Sequence, residues 1–146
     1  TVALLDPAAG VSEVVALRVG SGGAKRELLY SARSVAEGVF AMASVGRDIL
    51  LALNDRGANR LVRVRRGGAG EEPVPMPYVG AIDTLNSDAS GGEVTFGYEG
   101  WLQPKAFYRM GTGDAAPKCF CPAAAPVTGV ERVVVETFDV TARDGE

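Results

Sequence analysis

Cys119 and Cys121 flank a single residue in the run Cys-Phe-Cys-Pro, the one place where sequence alone fixes two nucleophilic side chains close together. One intervening residue is too short for a relaxed disulfide, and two thiols without imidazole make a poor zinc site. The pair is read as reduced and structural, with a redox couple or half of an intersubunit metal site as the sharper alternatives. The chain has no His. A Ser-His-Asp or Cys-His constellation therefore cannot be assembled from these residues, and imidazole ligation of a metal is excluded. No catalytic residue, metal site or cofactor is assigned, and substrate-binding residues stay unassigned.

The remaining candidates each have a plainer reading beside them. Arg60, Arg63, Arg65 and Arg66 have the charge to meet an acidic ligand or a peptide carboxylate. At strand spacing beside Val62 and Val64, they read more simply as a solvated face. Asp83, Asp88, Glu93 and Glu99 lack calcium-loop spacing and read as a solvated edge. Trp101, close to Pro104, is either an aromatic platform for a peptide or an anchor in the core or between sheets, and the anchor is preferred. Ser12 follows Gly10-Val11, but Glu13-Val14 comes next, so the second glycine of a nucleophile elbow is missing. Gly111-Thr112-Gly113-Asp114-Ala115-Ala116 imitates a dinucleotide fingerprint, yet Pro117 follows where a helix would be needed.

These residues must be held by strands. At 146 residues and 15.2 kDa the chain is one domain or part of one, and 47% hydrophobic residues suffice for a core. A net charge of -3, with both signs spread along the chain, calls for neither nucleic acid nor an anionic membrane as partner. No apolar run reaches the roughly 20 residues that span a bilayer, and no signal-peptide pattern is present. The richness in Ala, Gly, Val and Arg suggests a GC-rich bacterial genome. The free thiols favour a cytoplasmic setting, with the periplasm as the alternative.

Strands are expected at Glu13–Val19, Glu27–Tyr30, Val39–Ser44 and Ile49–Leu53, the last a buried-type run. After a turn at Asn54–Asn59, residues 60–66 alternate, and Pro73, Pro75 and Pro77 bar a central paired strand. A second cycle begins at Val79–Ile82. In it, 93–99 alternates with Val94, Phe96 and Tyr98 on one face, and 105–110 aligns Ala106, Tyr108 and Met110. Ser31–Gly38 is open to a short helical turn. The two cycles lie about 45 residues apart, the spacing of a four-stranded propeller blade. The fold class is all-β, a partial β-propeller of about two to three four-stranded antiparallel blades; a Greek-key sandwich is the competitor.

Two segments resemble the non-catalytic β-propeller of the prolyl oligopeptidase family of serine peptidases. One is Phe96-Gly97-Tyr98-Glu99-Gly100-Trp101-Leu102-Gln103-Pro104-Lys105-Ala106-Phe107-Tyr108-Arg109-Met110-Gly111, similar to a late blade of that family. The other is Glu136-Thr137-Phe138-Asp139-Val140-Thr141-Ala142-Arg143-Asp144-Gly145, similar to the strand by which the family leaves its propeller. The chain departs from the family before Pro104, where Ser or Thr is usual, and at Met110, where Asp is usual.

The resemblance implies one fragment of a propeller domain: 1–35 a partial blade, 36–78 and 79–128 blades, and 129–146 an exit strand toward a missing α/β-hydrolase domain. It implies a parent serine-type oligopeptidase whose triad lies in that hydrolase domain. The propeller would cap the active site and admit short peptide substrates, and no family catalytic residue maps onto this chain. A stand-alone β-rich protein-binding module without peptidase activity is the alternative. Because blades bury their flat faces against neighbours, an isolated fragment is expected to self-associate.

Overall fold

The computed structural model describes residues 2–6, 11–34, 37–55, 57–66, 70–123, 125, 128–129, 133–134, 136, 138 and 140. Its strands, in chain order, are β1 Val2–Asp6, β2 Glu13–Gly20, β3 Gly23–Ser31, β4 Gly38–Val45, β5 Asp48–Asp55, β6 Ala58–Arg65, β7 Glu71–Val74, β8 Gly80–Ser87, β9 Glu93–Gly100, β10 Ala106–Gly111 and β11 Lys118–Cys121. They form three open antiparallel meanders, β1-β2-β3, β4-β5-β6-β7 and β8-β9-β10-β11. The described residues include no helix, so the helical turn considered for Ser31–Gly38 is not formed at its described positions. The architecture is all-β, three stacked sheets of a partial propeller.

The second sheet carries the packing. Residues in a strand alternate between faces, so a run that is apolar at every position must be covered on both sides. Ile49–Leu53 is such a run, and Leu50, Leu51, Ala52 and Leu53 are fully buried. Leu50, Ala52, Leu61 and Val74 pack toward the third sheet against Ile82, Val94, Phe96, Tyr98, Tyr108 and Met110. Ile49, Leu51, Leu53, Val62 and Val64 pack toward the first sheet against Val14, Tyr30 and Ala32. The predicted alternation of Val94, Phe96 and Tyr98 with Ala106, Tyr108 and Met110 is realised in the β9–β10 ladder.

Pro73 lies in β7, which pairs only with β6, so the missing amide falls at a sheet edge. β11 was not anticipated. It is a four-residue edge strand with every residue exposed, and so carries no apolar alternation to read.

Polar contacts lock the seam between the second and third sheets along one end of the strands. The Gly46 amide donates to the Gly91 carbonyl at 2.5 Å, and the Ser87 hydroxyl donates to the Ser44 carbonyl at 2.9 Å. Gly46 has φ +60°, and a Cβ there would lie 2.7 Å from Thr112 Oγ1, so only glycine fits this turn. Farther along, the Ile82 amide donates to Asn59 Oδ1 at 2.6 Å.

The seam between the first and second sheets contains a buried carboxylate. Glu37 accepts from the Arg33 amide at 2.6 Å and from the Arg60 guanidinium, while Arg33 also pairs with Glu71. Burial alone would raise the Glu37 pKa, but the Arg33 amide and Arg60 outweigh it and hold it below the ordinary value. The Tyr30 phenol beside it is pushed up to about 12, first by burial and then by the Glu37 and Glu71 carboxylates.

Leu50→Ala should cost about 2–5 kcal/mol, because the cavity opens at a site with no solvent route for relaxation. Val19→Ala, at an exposed position, should change stability by less than about 0.5 kcal/mol. Chemical denaturation of both variants checks the contrast. The depressed Glu37 pKa favours folding above the ordinary value of 4.5, and that contribution is lost as pH falls through the folded value. Glu37→Gln should thus be less stable than wild type by about 1–3 kcal/mol near neutrality, with the gap closing as pH falls below the ordinary value of 4.5 and through the lower folded one. Denaturant midpoints measured across that range test it.

Candidate functional site

The four arginines do not form one patch. β6 pairs Arg60 with Leu53 and Arg63 with Leu50, so the two side chains leave opposite faces of the sheet. Arg60 enters the seam with the first sheet, where its Nε also lies 3.0 Å from Asp55 Oδ2. Arg63 enters the other seam and donates to the Asp114 carbonyl. It is buried, which corrects the expectation of a solvated face. The reason is the double coverage of the second sheet, which leaves β6 no wet face at its centre. Arg65 remains exposed and pairs with Glu72 at 3.1 Å, and Arg66 reaches the Ser44 hydroxyl at 3.5 Å.

The acidic residues are equally dispersed. Asp88 caps the β8–β9 turn through the Ser90 hydroxyl and the Glu93 amide, which together hold its carboxyl below the usual range. Asp83 pairs with Lys105 at 2.8 Å, and Glu93 lies 4.0 Å from Arg109. Among the described residues, no group of three or more His, Cys, Asp or Glu converges as a metal site would require. Gly111 to Asp114 is the β10–β11 hairpin turn: the Gly111 amide donates to Asp114 Oδ2 at 2.9 Å, and a strand follows where a dinucleotide fold needs a helix. The Ser12 carbonyl accepts from the Ala32 amide at 2.9 Å, which makes it a link between strand ends. Gly10, its partner in the elbow-like sequence, lies outside the described residues.

The register of β11 decides the cysteines. Phe107 faces Cys121, but Tyr108 faces Cys119, so one step along β10 corresponds to two along β11. The extra residue is Phe120, and the slip sends the two thiols to opposite faces, Cys119 with Tyr108 and Cys121 with Phe107. Both thiols are free and exposed. A shared metal or a Cys119–Cys121 redox couple has no geometric support. Cys119 instead borders a 260 Å³ groove walled by Tyr78, Pro104 and Tyr108. Tyr78 stacks on Tyr98 at 4.8 Å, their hydroxyls bond to each other's backbone carbonyls, and burial raises both phenols above the ordinary value.

Trp101 is 70% exposed and anchors neither the core nor a seam between the described sheets. It stands at the end of β9, where the chain turns from Gly100 to Gln103, and β10 does not begin until Ala106. With Gly57, Gly80, Ala81, Glu99 and Gly100 it lines a second 260 Å³ cavity, at the strand ends opposite the Gly46–Gly91 lock. This cavity brings together Trp101 and Glu99, which sequence reasoning treated separately. The signal that linked them was their proximity in a segment rich in glycine.

No family model and no curated protein matches the chain. Among solved structures, one from a study of prolyl endopeptidases superposes on 99% of this chain with a TM-score of 0.73 and 13% identity. The chain has the fold of a prolyl oligopeptidase-like propeller region. It spans 23% of the length of that structure. No helix in the described residues is long and apolar enough to cross a membrane. The exit strand expected over 129–146 falls mostly outside the described residues; within it, Val133, Val134, Phe138 and Val140 are exposed.

The opposed thiols yield a direct expectation. Mild oxidation of the monomer should form no Cys119–Cys121 disulfide, and both thiols should still react fully with maleimide. Mass spectrometry of an intramolecularly oxidised species lacking two hydrogens would contradict the register.

Proposed function

We propose that this chain is a non-catalytic propeller segment of a prolyl oligopeptidase-like serine peptidase, capping the active site and restricting access to short peptides. The observation that carries the reading is the superposition of three consecutive sheets on a prolyl endopeptidase, over nearly the whole chain. The absence of His fits a segment that leaves the nucleophile, base and oxyanion donors to another domain. The three sheets would be successive blades, divided at about residues 36 and 79, with residues from about 129 leading to an α/β-hydrolase domain as intramolecular partner. Exposed Val133, Val134, Phe138 and Val140 would then be covered by that domain.

Gating follows from the mechanics of such an arrangement. The structure it superposes on comes from work on interdomain dynamics in catalysis and specificity. Here the first seam is held partly by a titratable carboxylate and the second by apolar packing and backbone bonds. A propeller wall whose blades differ in rigidity can open at one seam while keeping the other closed. Separated from its neighbours, the fragment would bury its bare flanks by self-association. A cytoplasmic, bacterial parent accords with two exposed free thiols and the composition.

The alternative, a stand-alone protein-binding module, draws on the exposed Trp101. Reading the native gene past residue 146 separates the two. A hydrolase segment carrying a Gly-x-Ser-x-Gly-type elbow, followed by Asp and His, is the expected result. A stop codon directly after Glu146 would overturn the peptidase reading.

A further inference from the structure

The two seams that flank the second sheet are tied by different chemistry. Across the seam with the third sheet the Gly46 amide bonds the Gly91 carbonyl, the Ser87 hydroxyl the Ser44 carbonyl, and the Ile82 amide Asn59. None of these groups changes charge in acid. Arg63 crosses the same seam, but it bonds the Asp114 carbonyl, and a guanidinium stays charged throughout. The Asp114 carboxylate itself binds the Gly111 amide and Lys118, within its own hairpin.

The seam with the first sheet turns on one carboxylate. Glu37 lies in the connection from β3 to β4 and is 7% exposed. Its Oε2 accepts from the Arg33 amide, just past β3, and its Oε1 from the Arg60 guanidinium on β6. The other titratable groups around it are the Tyr30 phenol from β3, Asp55 from β5 and Glu71 from β7. Asp55 acts through Arg60 and Glu71 through Arg33, and both carboxylates are partly open to solvent. The Arg33–Glu71 pair is therefore screened and contributes little.

Apolar support at this seam is thin. Among the described residues, the first sheet and its exit bring Val14, Tyr30 and Ala32 to the shared core, with Val11 and Leu29 at its margin. The third sheet brings Phe96, Tyr98, Tyr108 and Met110 to the other seam, with smaller side chains besides. A proton on Glu37 removes the charge that holds both of its donors. Arg60 then keeps Asp55 as its remaining ion pair, and the Arg33 amide faces a weaker, neutral acceptor. Neutralising one partner of a buried pair costs more than the intact pair contributes.

We propose that Glu37 is an acid-released latch: on taking up a proton it lets the first sheet part from the second, while the second and third stay clamped. Burial pushes this carboxyl up, but the Arg33 amide and Arg60 hold it below the ordinary value of 4.5. The latch is therefore closed above 4.5 and opens as pH falls through the lower folded value. It gives an opening at one seam its trigger through this chain's own contacts. Its failure would leave the peptidase reading standing, and a missing hydrolase domain would leave the latch.

Native-state hydrogen exchange on the full chain, corrected for intrinsic rates, compares about pH 6 with about pH 3. The amides of Val14, Val15 and Tyr30 report the first sheet, Leu51 the second and Phe96 the third. On acidification, first-sheet protection should fall at least about tenfold relative to Leu51 and Phe96. In Glu37→Gln it should be at least about tenfold lower already near pH 6, and change less than about threefold on acidification. Glu71→Gln should keep the wild-type response, because its carboxylate is partly open to solvent.

Three sheets losing protection together, a first sheet equally protected at both pH values, or a wild-type response in Glu37→Gln would each overturn the proposal. Should Glu37→Gln not fold, Glu71→Gln decides: a first-sheet response that persists supports the latch, and one that it abolishes overturns it.

Discussion

The structure depends on one packing constraint: the Ile49–Leu53 run within β5 is apolar at every position and must be covered on both faces. Four consecutive fully buried positions, Leu50 to Leu53, cannot be met by a single layer, because alternate side chains leave opposite faces. The second sheet is therefore clamped between the first and the third. Each fully buried Leu contributes about 1.5–3 kcal/mol, so this strand dominates what holds the sheets together. The same clamp buries Arg63 and sends Arg60 to the opposite seam. A sequence that looks like an arginine patch is thereby divided between two interfaces.

The two interfaces differ in kind. The seam with the third sheet has a stacked aromatic column: Tyr78 on Tyr98, Phe96 stacked on Tyr108 at 5.8 Å, and Tyr98 edge-on to Tyr108. Offset and edge-to-face aromatic pairs add to area burial and fix side-chain orientation, which suits a permanent junction. The seam with the first sheet instead buries Glu37 among arginines, an arrangement that fixes geometry more than it adds stability. The outward face of the third sheet is different again. The Asp83–Lys105 pair lies across Gly97, whose missing side chain leaves room for both, and Phe107 is half-exposed beside it. Charge on that face and an apolar clamp inside give the stack a direction, from a packed centre to a wet flank.

Much of the fold was legible because its central strands obey simple rules. Ile49–Leu53 announced double burial by its unbroken apolar run, and Val94, Phe96 and Tyr98 announced single-faced packing by strict alternation. Pro73 announced an edge. Glu37 was not legible, since a Glu beside a loop carries no mark of the guanidinium that reaches it from 23 residues away. The opposed thiols were hidden too: spacing places Cys119 and Cys121 on one face, and a bulge at Phe120 reverses that. Trp101 looked like an anchor because large aromatics are usually covered. Trp101 sits in the Gly100–Gln103 turn that ends β9, and its exposure there is not encoded in the local sequence.

Native-state hydrogen exchange tests the clamp most directly. If the second sheet is covered on both faces, the amides of Leu50, Leu51 and Ala52 exchange only through global opening, at least about 100-fold slower than those of β7 or β11. Protection should then follow denaturant with the full unfolding slope. If these amides exchange as fast as the edge strands, the second sheet is open to water on at least one face, and no clamp holds the three sheets together.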